Sequence, residues 1–456
     1  MAFNSYNFIL LFAPIVIIVY YLSLKFKKKE ISQIVLILAS IIFYFTFGIW
    51  HAVFIVSSLI LNYLFAYFIN RTQNEKLKKV LLIIVIILNV LALFLTKYLN
   101  FFYTAIVELF SGQGSVLNLF VPLGISYTTF QQIAYQVDTF RGETKEINFL
   151  EYSLFILFFV KSLCGPIILQ SEFINQVKDD ENYKVNYDNL SRGLYVFVIG
   201  LAKKVLIADT LAYIVNNGYG MAAGLSTIDA LLVILSYTLQ IYFDFSGCCD
   251  MACGLSQMFN LKIINNFEDP YQTNNILDFW KAWHISLTSF LRKYIYFPLG
   301  GNRKGKVRTM INVMIIFLIS GLWHGANWTF IVWGALHGLA SVLMRIYGKH
   351  YDKMPSIIKW IINFAFVNIT WVFFRAETIS DAIRLIGRIF TGGFYLSFGY
   401  IYIFYTAVAL WLALSFKTKT NKEFNVNVYR MLFASAILVL CLLNFTENIS
   451  FIYVNF

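Results

Sequence analysis

Val80-Leu-Leu-Ile-Ile-Val-Ile-Ile-Leu-Asn-Val-Leu-Ala-Leu-Phe-Leu-Thr-Lys-Tyr98 decides the class of this chain. Its only charge is Lys97, next to the end of the run. Crossing a bilayer as a helix takes about 20 mostly apolar residues, and a run of this purity has no place on a water-soluble surface. Eleven comparable stretches accompany it. They are Asn7–Leu24, Ile31–Trp50, His51–Ile69, Leu117–Val137, Phe149–Leu169, Thr227–Phe245, Thr309–Ala326, Asn327–Tyr347, Ser356–Phe374, Leu396–Phe416 and Tyr429–Phe445.

Composition agrees. Of 456 residues, 59% are hydrophobic and only 13% are charged. A soluble domain carries about 25% charged residues. No long polar stretch could hold a soluble domain, and no repeat or linker divides the chain. The expectation is an all-α polytopic membrane protein with about 11–13 apolar segments, forming one membrane-embedded domain over residues 1–456.

The excess of 36 Lys+Arg over 24 Asp+Glu falls mostly in short clusters between the apolar runs. That pattern predicts cytoplasmic loops against anionic lipid and argues against nucleic acid as a partner. Lys25, Lys27, Lys28 and Lys29 follow the first apolar run, and Arg71–Lys79 precedes the fourth. Both loops should be cytoplasmic, with the N-terminus outside. No positive charge precedes Phe8–Leu24 and no small-residue cleavage site follows it, so a removable signal is not expected.

Two regions do not read as simple spans. Lys203-Lys204 splits Leu194–Val215 into halves too short to cross, which predicts a re-entrant or interfacial segment. Phe279–Leu299 mixes Trp280, Trp283, Phe290, Tyr294 and Tyr296 with Lys281, His284, Arg292 and Lys293, and lipid would not tolerate it. The five cysteines (Cys164, Cys248, Cys249, Cys253 and Cys441) include no Cys-x-x-Cys pair, so neither a disulfide nor a metal site is expected. The run from Gly247 through Ala252 to Gly254 reads as a helix-packing surface.

Ionisable groups at membrane depth point to function. Of five histidines, His51 and His350 fall at polar edges. His324 lies in Gly321-Leu-Trp-His-Gly-Ala-Asn-Trp328, about 24 Å along an unbroken helix from the basic run Arg303–Arg308. His284 lies in Trp280-Lys-Ala-Trp-His-Ile-Ser-Leu287, with the Ser286 hydroxyl nearby. His337 is 13 residues beyond His324, a turn of roughly 220° and a rise near 20 Å on a continuous helix, which predicts a helix-packing or hydrogen-bonding role away from His324. Asp244 would either orient a histidine or cap a kinked helix end. No Gly-x-Ser-x-Gly elbow, phosphate-cradling loop or His-x-x-x-His pair is present, so a buried histidine acting as general base on a hydroxyl is the simplest available chemistry.

These residues strongly resemble the membrane-bound O-acyltransferase family, in its bacterial branch acting in alginate and peptidoglycan O-acetylation. The carrying blocks include Pro122-Leu-Gly-Ile-Ser-Tyr-Thr-Thr-Phe-Gln131, Gly200-Leu-Ala-Lys-Lys-Val-Leu-Ile-Ala-Asp209 and Gln240-Ile-Tyr-Phe-Asp-Phe-Ser-Gly247. Phe279-Trp-Lys-Ala-Trp-His-Ile-Ser-Leu287, Tyr296-Phe-Pro-Leu-Gly-Gly-Asn-Arg303 and Gly321–Trp328 complete them. The resemblance implies a ring of transmembrane helices around a central funnel with re-entrant segments, in the bacterial cytoplasmic (inner) membrane.

It further implies His324 as the active-site histidine and His284 as a second important one. Contacts to donor or substrate are expected at Asp244, Ser286, Trp323, Asn327, Arg292 and Arg303. No bound cofactor is implied. Acetyl-CoA or another acyl thioester would be a donor substrate, the acceptor a cell-surface polysaccharide such as an exopolysaccharide or peptidoglycan, often with an extracytoplasmic partner acetyltransferase. The basic residues from Arg292 to Arg308 could steer donor phosphates or mark topology. Lys281, Ala282 and Lys293 depart from the branch pattern, which has Arg, Arg and Asp there. D-alanyl transfer to teichoic acid by the same fold, and proton-coupled transport of a small acid, are the rival readings.

Overall fold

The computed structural model describes residues 1–110, 117, 119–144, 148–163, 165–415, 427–445 and 451–452. Cys164, and Asn118 and Phe416 near the edges of expected spans, lie outside the described residues. The described chain is helical, with one antiparallel bridge, Phe267 to Trp283. Seven helices among the described residues are long and apolar enough to cross a membrane: Asn7–Phe26, Ile49–Arg71, Glu75–Glu108, Thr227–Met258, Lys306–His324, Trp328–Tyr351 and Ser356–Arg375. Tyr400–Ser415 and Val428–Leu443 are shorter apolar helices.

The other expected spans fall short for local reasons. The Lys29–Phe45 helix has 17 residues and ends in a turn at Gly48, whose φ is 131°. The segment from Leu117 breaks at Gly124, with φ 66°, and its helix begins at Ile125. That helix buries Gln131, Gln132, Gln136 and Asp138, so protein rather than lipid surrounds it. The Phe149–Leu157 helix stops where Phe158 turns extended at ψ 104°. At Lys203-Lys204 the helical path continues through a π-helical segment, Lys203–Ala208, between the Tyr187–Ala202 and Asp209–Gly220 helices.

The chain packs as two compact units. One comprises Met1–Val198, Cys249–Ile264 and Val426–Leu432. In its core Asn89 donates to Asn62 Oδ1 at 2.8 Å, and Gln136 donates to the Asn62 carbonyl at 2.7 Å. Buried Lys161 donates to Gln131 Oε1 at 2.9 Å and to the Phe155 carbonyl. Such bonds satisfy amide and ammonium groups that hydrocarbon would leave bare. Gly193 and Gly254 bring two helices so close that a Cβ on either would lie 2.5 Å from the carbonyl oxygen of the other.

The second unit comprises Ile199–Cys248, Asn265–Asn425 and Phe433–Phe456. A Cβ on Gly247 would meet the Gly200 carbonyl at 2.7 Å, so the glycines of the small-residue run do serve packing. Cys248, by contrast, is disulfide-bonded, while Cys249, Cys253 and Cys441 are thiols. This corrects the expectation of no disulfide, because a bridge needs only sulfurs brought together by the fold, not neighbours in sequence. Trp283, Trp333 and Trp371 are fully buried at the centre of this unit.

Candidate active site

The Lys306–His324 helix makes His324 its last residue, so the helix is unbroken from the basic run up to the histidine. Beyond it Gly325 is extended and the chain reverses within three residues. Asn327 starts the next helix as its N-cap, accepting from the Thr329 N–H at 3.1 Å, while its side-chain amide donates to the Glu377 carbonyl at 2.8 Å. The residue expected to touch substrate thus builds the turn that presents His324.

Gly321 and Gly334 let the two helices of this hairpin touch backbone to backbone. A Cβ on Gly321 would lie 2.3 Å from the Phe330 carbonyl oxygen, and one on Gly334 would lie 2.4 Å from that of Phe317. Trp333, beside Gly334, then packs edge-on against the His324 ring with centroids 5.2 Å apart.

His284 arrives by a different route. It sits between the short helices Ile276–Ala282 and Ile285–Leu291 in a left-handed conformation, φ 46° and ψ 53°. Asn266 clamps the far side of this turn. Its carbonyl accepts from Ile285 N–H at 3.2 Å, and its Oδ1 accepts from Ser286 N–H at 2.9 Å. The result places the rings of His284 and His324 at a centroid distance of 6.1 Å, although 40 residues separate them. Both are buried. Trp323 lines the same place, 5.9 Å from His284 and 4.9 Å from His324, and Phe245 packs on His284 at 4.8 Å. His284 lies outside the spanning helices, and burial pushes its pKa down to about 3, so the ring is neutral at physiological pH.

A cavity of about 260 Å³ in the same unit is walled in part by Trp280, Thr288, Arg292, Tyr296, Ser320 and Arg345; it reaches the His324 helix at Ser320, and neither histidine of the pair is in its wall. Ser320 is one helical turn, about 6 Å, before His324 on the same helix face. Arg292 therefore belongs to the cavity, whereas Arg303 is exposed and absent from its wall. Arg345 was missed in the sequence. A cation inside the apolar stretch Asn327–Tyr347 was the available signal.

His337 corrects the helical-wheel reasoning. The helix is not continuous between positions 324 and 337, so the predicted rotation and rise do not apply. After the reversal at Gly325, His337 sits one turn beyond Trp333 on the Trp328–Tyr351 helix and packs at 4.9 Å on that indole, the same one that packs on His324. Its Nδ1 accepts the Trp280 indole N–H at 3.3 Å. His337 thus braces a wall of the cavity.

Asp244 neither orients a histidine nor caps a kink. It lies within the Thr227–Met258 helix, accepts from Lys204 Nζ at 2.6 Å and from the Ile452 N–H at 2.9 Å. Lys204 Nζ also lies 2.7 Å from Asp209 Oδ1, and all three side chains are buried. The π-turn makes this possible. A spacing of five residues stacks Lys204 over Asp209, whose N–H bonds the Lys204 carbonyl. Burial pushes the Asp209 carboxyl up to about 7 against the pull of Lys204. In the sequence Lys203-Lys204 read as an interruption of an apolar stretch, because the two acidic partners of Lys204 are visible only once the helices pack.

Residues 37–379 match the family model described as MBOAT, membrane-bound O-acyltransferase family. The chain is 40% identical over 414 residues to a peptidoglycan O-acetyltransferase of Helicobacter pylori, covering 84% of this chain and 79% of that one. It is 35% identical over 404 residues to the probable alginate O-acetylase AlgI of Pseudomonas aeruginosa, covering 86% and 75% respectively. A teichoic acid D-alanyltransferase of Bacillus subtilis is 30% identical over 256 residues, covering 54% of this chain and 63% of the relative.

Proposed function

The chain belongs to the membrane-bound O-acyltransferase family, and from that premise we propose that it moves an acetyl group from a thioester donor to hydroxyls of a cell-envelope polysaccharide, with His324 as general base. The observation that carries this reading is the pair of buried histidines with ring centroids 6.1 Å apart, in the unit that also holds the cavity edged by Arg292 and Arg345. The relatives named for acetyl transfer align over 84% and 86% of the chain, against 54% for the D-alanyltransferase, which favours acetyl over D-alanyl.

In the proposed step a neutral His324 nitrogen takes the proton of an acceptor hydroxyl as its oxygen attacks the thioester carbonyl carbon. The N–H of neutral His284 donates to the carbonyl oxygen as negative charge gathers there. Collapse breaks the C–S bond, the sulfur leaves with the proton held on His324, and ester and free thiol result. Aromatic walls keep bulk water from competing with the acceptor. Arg292, Arg345 and Lys281 give the cavity a positive field for a phosphate-bearing donor such as acetyl-CoA entering from the cytoplasmic side. Where an extracytoplasmic partner acetyltransferase takes part, the acceptor hydroxyl in this step would be the partner's, and the partner would pass the group to the polysaccharide.

His324→Gln tests this. Glutamine keeps polarity and approximate size but takes no proton at neutral pH, so thioester turnover by the monodisperse protein should fall by about 10²–10⁴. Near-normal turnover by the folded variant would refute His324 as the base.

A further inference from the structure

The Ile379–Thr391 helix has no part in the chemistry above. Its 13 residues span about 20 Å, too little to cross about 30 Å of hydrocarbon. Thr378 caps its start, accepting from the Asp381 N–H at 3.1 Å. Its back is fixed to the second unit. Ala382 and Leu385 are fully buried, Arg388 Nε donates to the Leu225 carbonyl at 2.6 Å, and a Cβ on Gly392 would lie 2.3 Å from the Thr227 nitrogen.

At about 100° per residue the helix has three faces. Ile379, Ile383, Ile386 and Phe390 fall within about 60° of one another. The buried Ala382 and Leu385 lie about 100° round from that stripe, and Asp381, Arg384 and Arg388 lie on the side opposite it. The isoleucine and phenylalanine stripe is not the one that protein covers: Ile383 is 59% exposed and Phe390 82%. A helix with an apolar face outward and a charged face opposite lies in the plane of a membrane interface, its apolar side chains about 5–10 Å into the boundary of headgroups and acyl chains.

The chain on either side shows what covers the stripe. Downstream, Phe394, Tyr395 and Tyr400 are exposed, and tyrosine, apolar in body and polar at its tip, suits the level of lipid headgroups. Tyr400 opens the apolar Tyr400–Ser415 helix, on which exposed Phe404, Val408 and Trp411 share one face and so meet hydrocarbon. The outward stripe thus continues along the chain into a lipid-facing surface. Upstream, the Asn327 amide donates to the Glu377 carbonyl at 2.8 Å, so the helix starts beside the turn that presents His324. We propose that Ile379–Thr391 is an interfacial helix that seats the His324 end of this unit in the bilayer. Ile379, Ile383, Ile386 and Phe390 enter the headgroup and acyl-chain boundary, and Asp381 and Arg384 face water. The proposal does not depend on the identity of the acyl donor or acceptor.

The full chain is reconstituted in nanodiscs of phosphatidylethanolamine and phosphatidylglycerol, with a phospholipid bearing a trifluoromethyl diazirine near the carbonyl end of one acyl chain. After photolysis, mass spectrometry locates the carbene adducts, and hydroxyl-radical oxidation of a parallel sample reports access to water. Adducts should fall on Ile383 and Phe390 and not on Asp381 or Arg384, and Phe390 should be protected from oxidation. Ile383→Gln combined with Phe390→Gln should lose the adducts on this helix, with the unfolding temperature in detergent unchanged because both side chains are exposed. Ile383→Leu should keep them. Oxidation of Phe390 without lipid adducts would overturn the proposal, as would equal adducts on every face of the helix. Protection from both reagents, with cross-links joining this helix in two copies of the chain, would replace the bilayer by a second copy.

Discussion

Gly334→Ala should disable the enzyme without touching any reacting atom. The added Cβ would lie 2.4 Å from the Phe317 carbonyl oxygen and 3.1 Å from its carbon, both rigid helix backbone. An ordinary carbon–oxygen contact needs about 3.4 Å, so the two helices must part by about 1 Å or twist. Phe317 belongs to the helix that ends in His324, and Trp333, which packs on the His324 ring, is the neighbour of the substituted residue. The displacement therefore falls between the base and its support. Overpacking of this kind costs about 1–3 kcal/mol of stability, and a 1 Å misplacement of a catalytic group lowers rate by about 10²-fold. The loss should appear in kcat more than in KM. Gly338→Ala, one turn on, is the milder comparison, because its Cβ would meet the flexible Met314 side chain, at 2.9 Å from Sδ, and the Phe317 Cβ at 3.3 Å, with no backbone atom in its way. The assay is thioester turnover by purified, monodisperse variants, with unfolding temperature measured alongside. Wild-type turnover by Gly334→Ala, or an equal loss in Gly338→Ala, would refute the idea that backbone contact at this crossing sets the base.

Lys204→Met should be among the most damaging single changes outside the histidine pair. It leaves Asp209 and Asp244 buried without their cation, at about 3–5 kcal/mol, and simultaneous replacement of all three by apolar residues should recover much of the loss; a Lys204→Met protein as heat-stable as wild type would count against the triad. On topology, a cysteine at Ser5 should react with a membrane-impermeant reagent in intact cells and one at Lys28 should not, and outside labelling at position 28 would reverse the assigned orientation.

Spans were legible where a single property decided them. Val80–Tyr98 passes from α-helix into a π-helical turn at Phe94–Tyr98 without a break, and it lies inside the long Glu75–Glu108 helix. Phe149–Leu169 reads as a span by length and hydropathy despite Glu151 and Lys161, yet hydropathy carries no information about the turn at Phe158, so a buried, broken segment looked like a span. The histidine pair was legible for a related reason. Burying an imidazole at membrane depth needs a return, and few histidines competed for the role. Their proximity was not legible, because it comes from the turn clamped by Asn266 and the reversal after Gly325. His337 shows the weakness of a helical wheel carried across a break. Lys204, a nuisance to the hydropathy profile, is the centre of a buried ion cluster whose partners lie five and 40 residues on.

The left-handed backbone of His284 sets fold and activity against each other. Among non-glycine residues only four described positions have positive φ, and this one lies in the histidine pair proposed to carry the reaction. A side chain in that region carries a local penalty of about 1–3 kcal/mol, repaid by the surrounding packing. Glycine and asparagine tolerate the conformation with less strain, and neither carries an imidazole. At position 284, then, a tougher protein and a working one ask for different residues. A screen that rewards only heat resistance would be drawn to this codon and would return well-folded, silent enzymes.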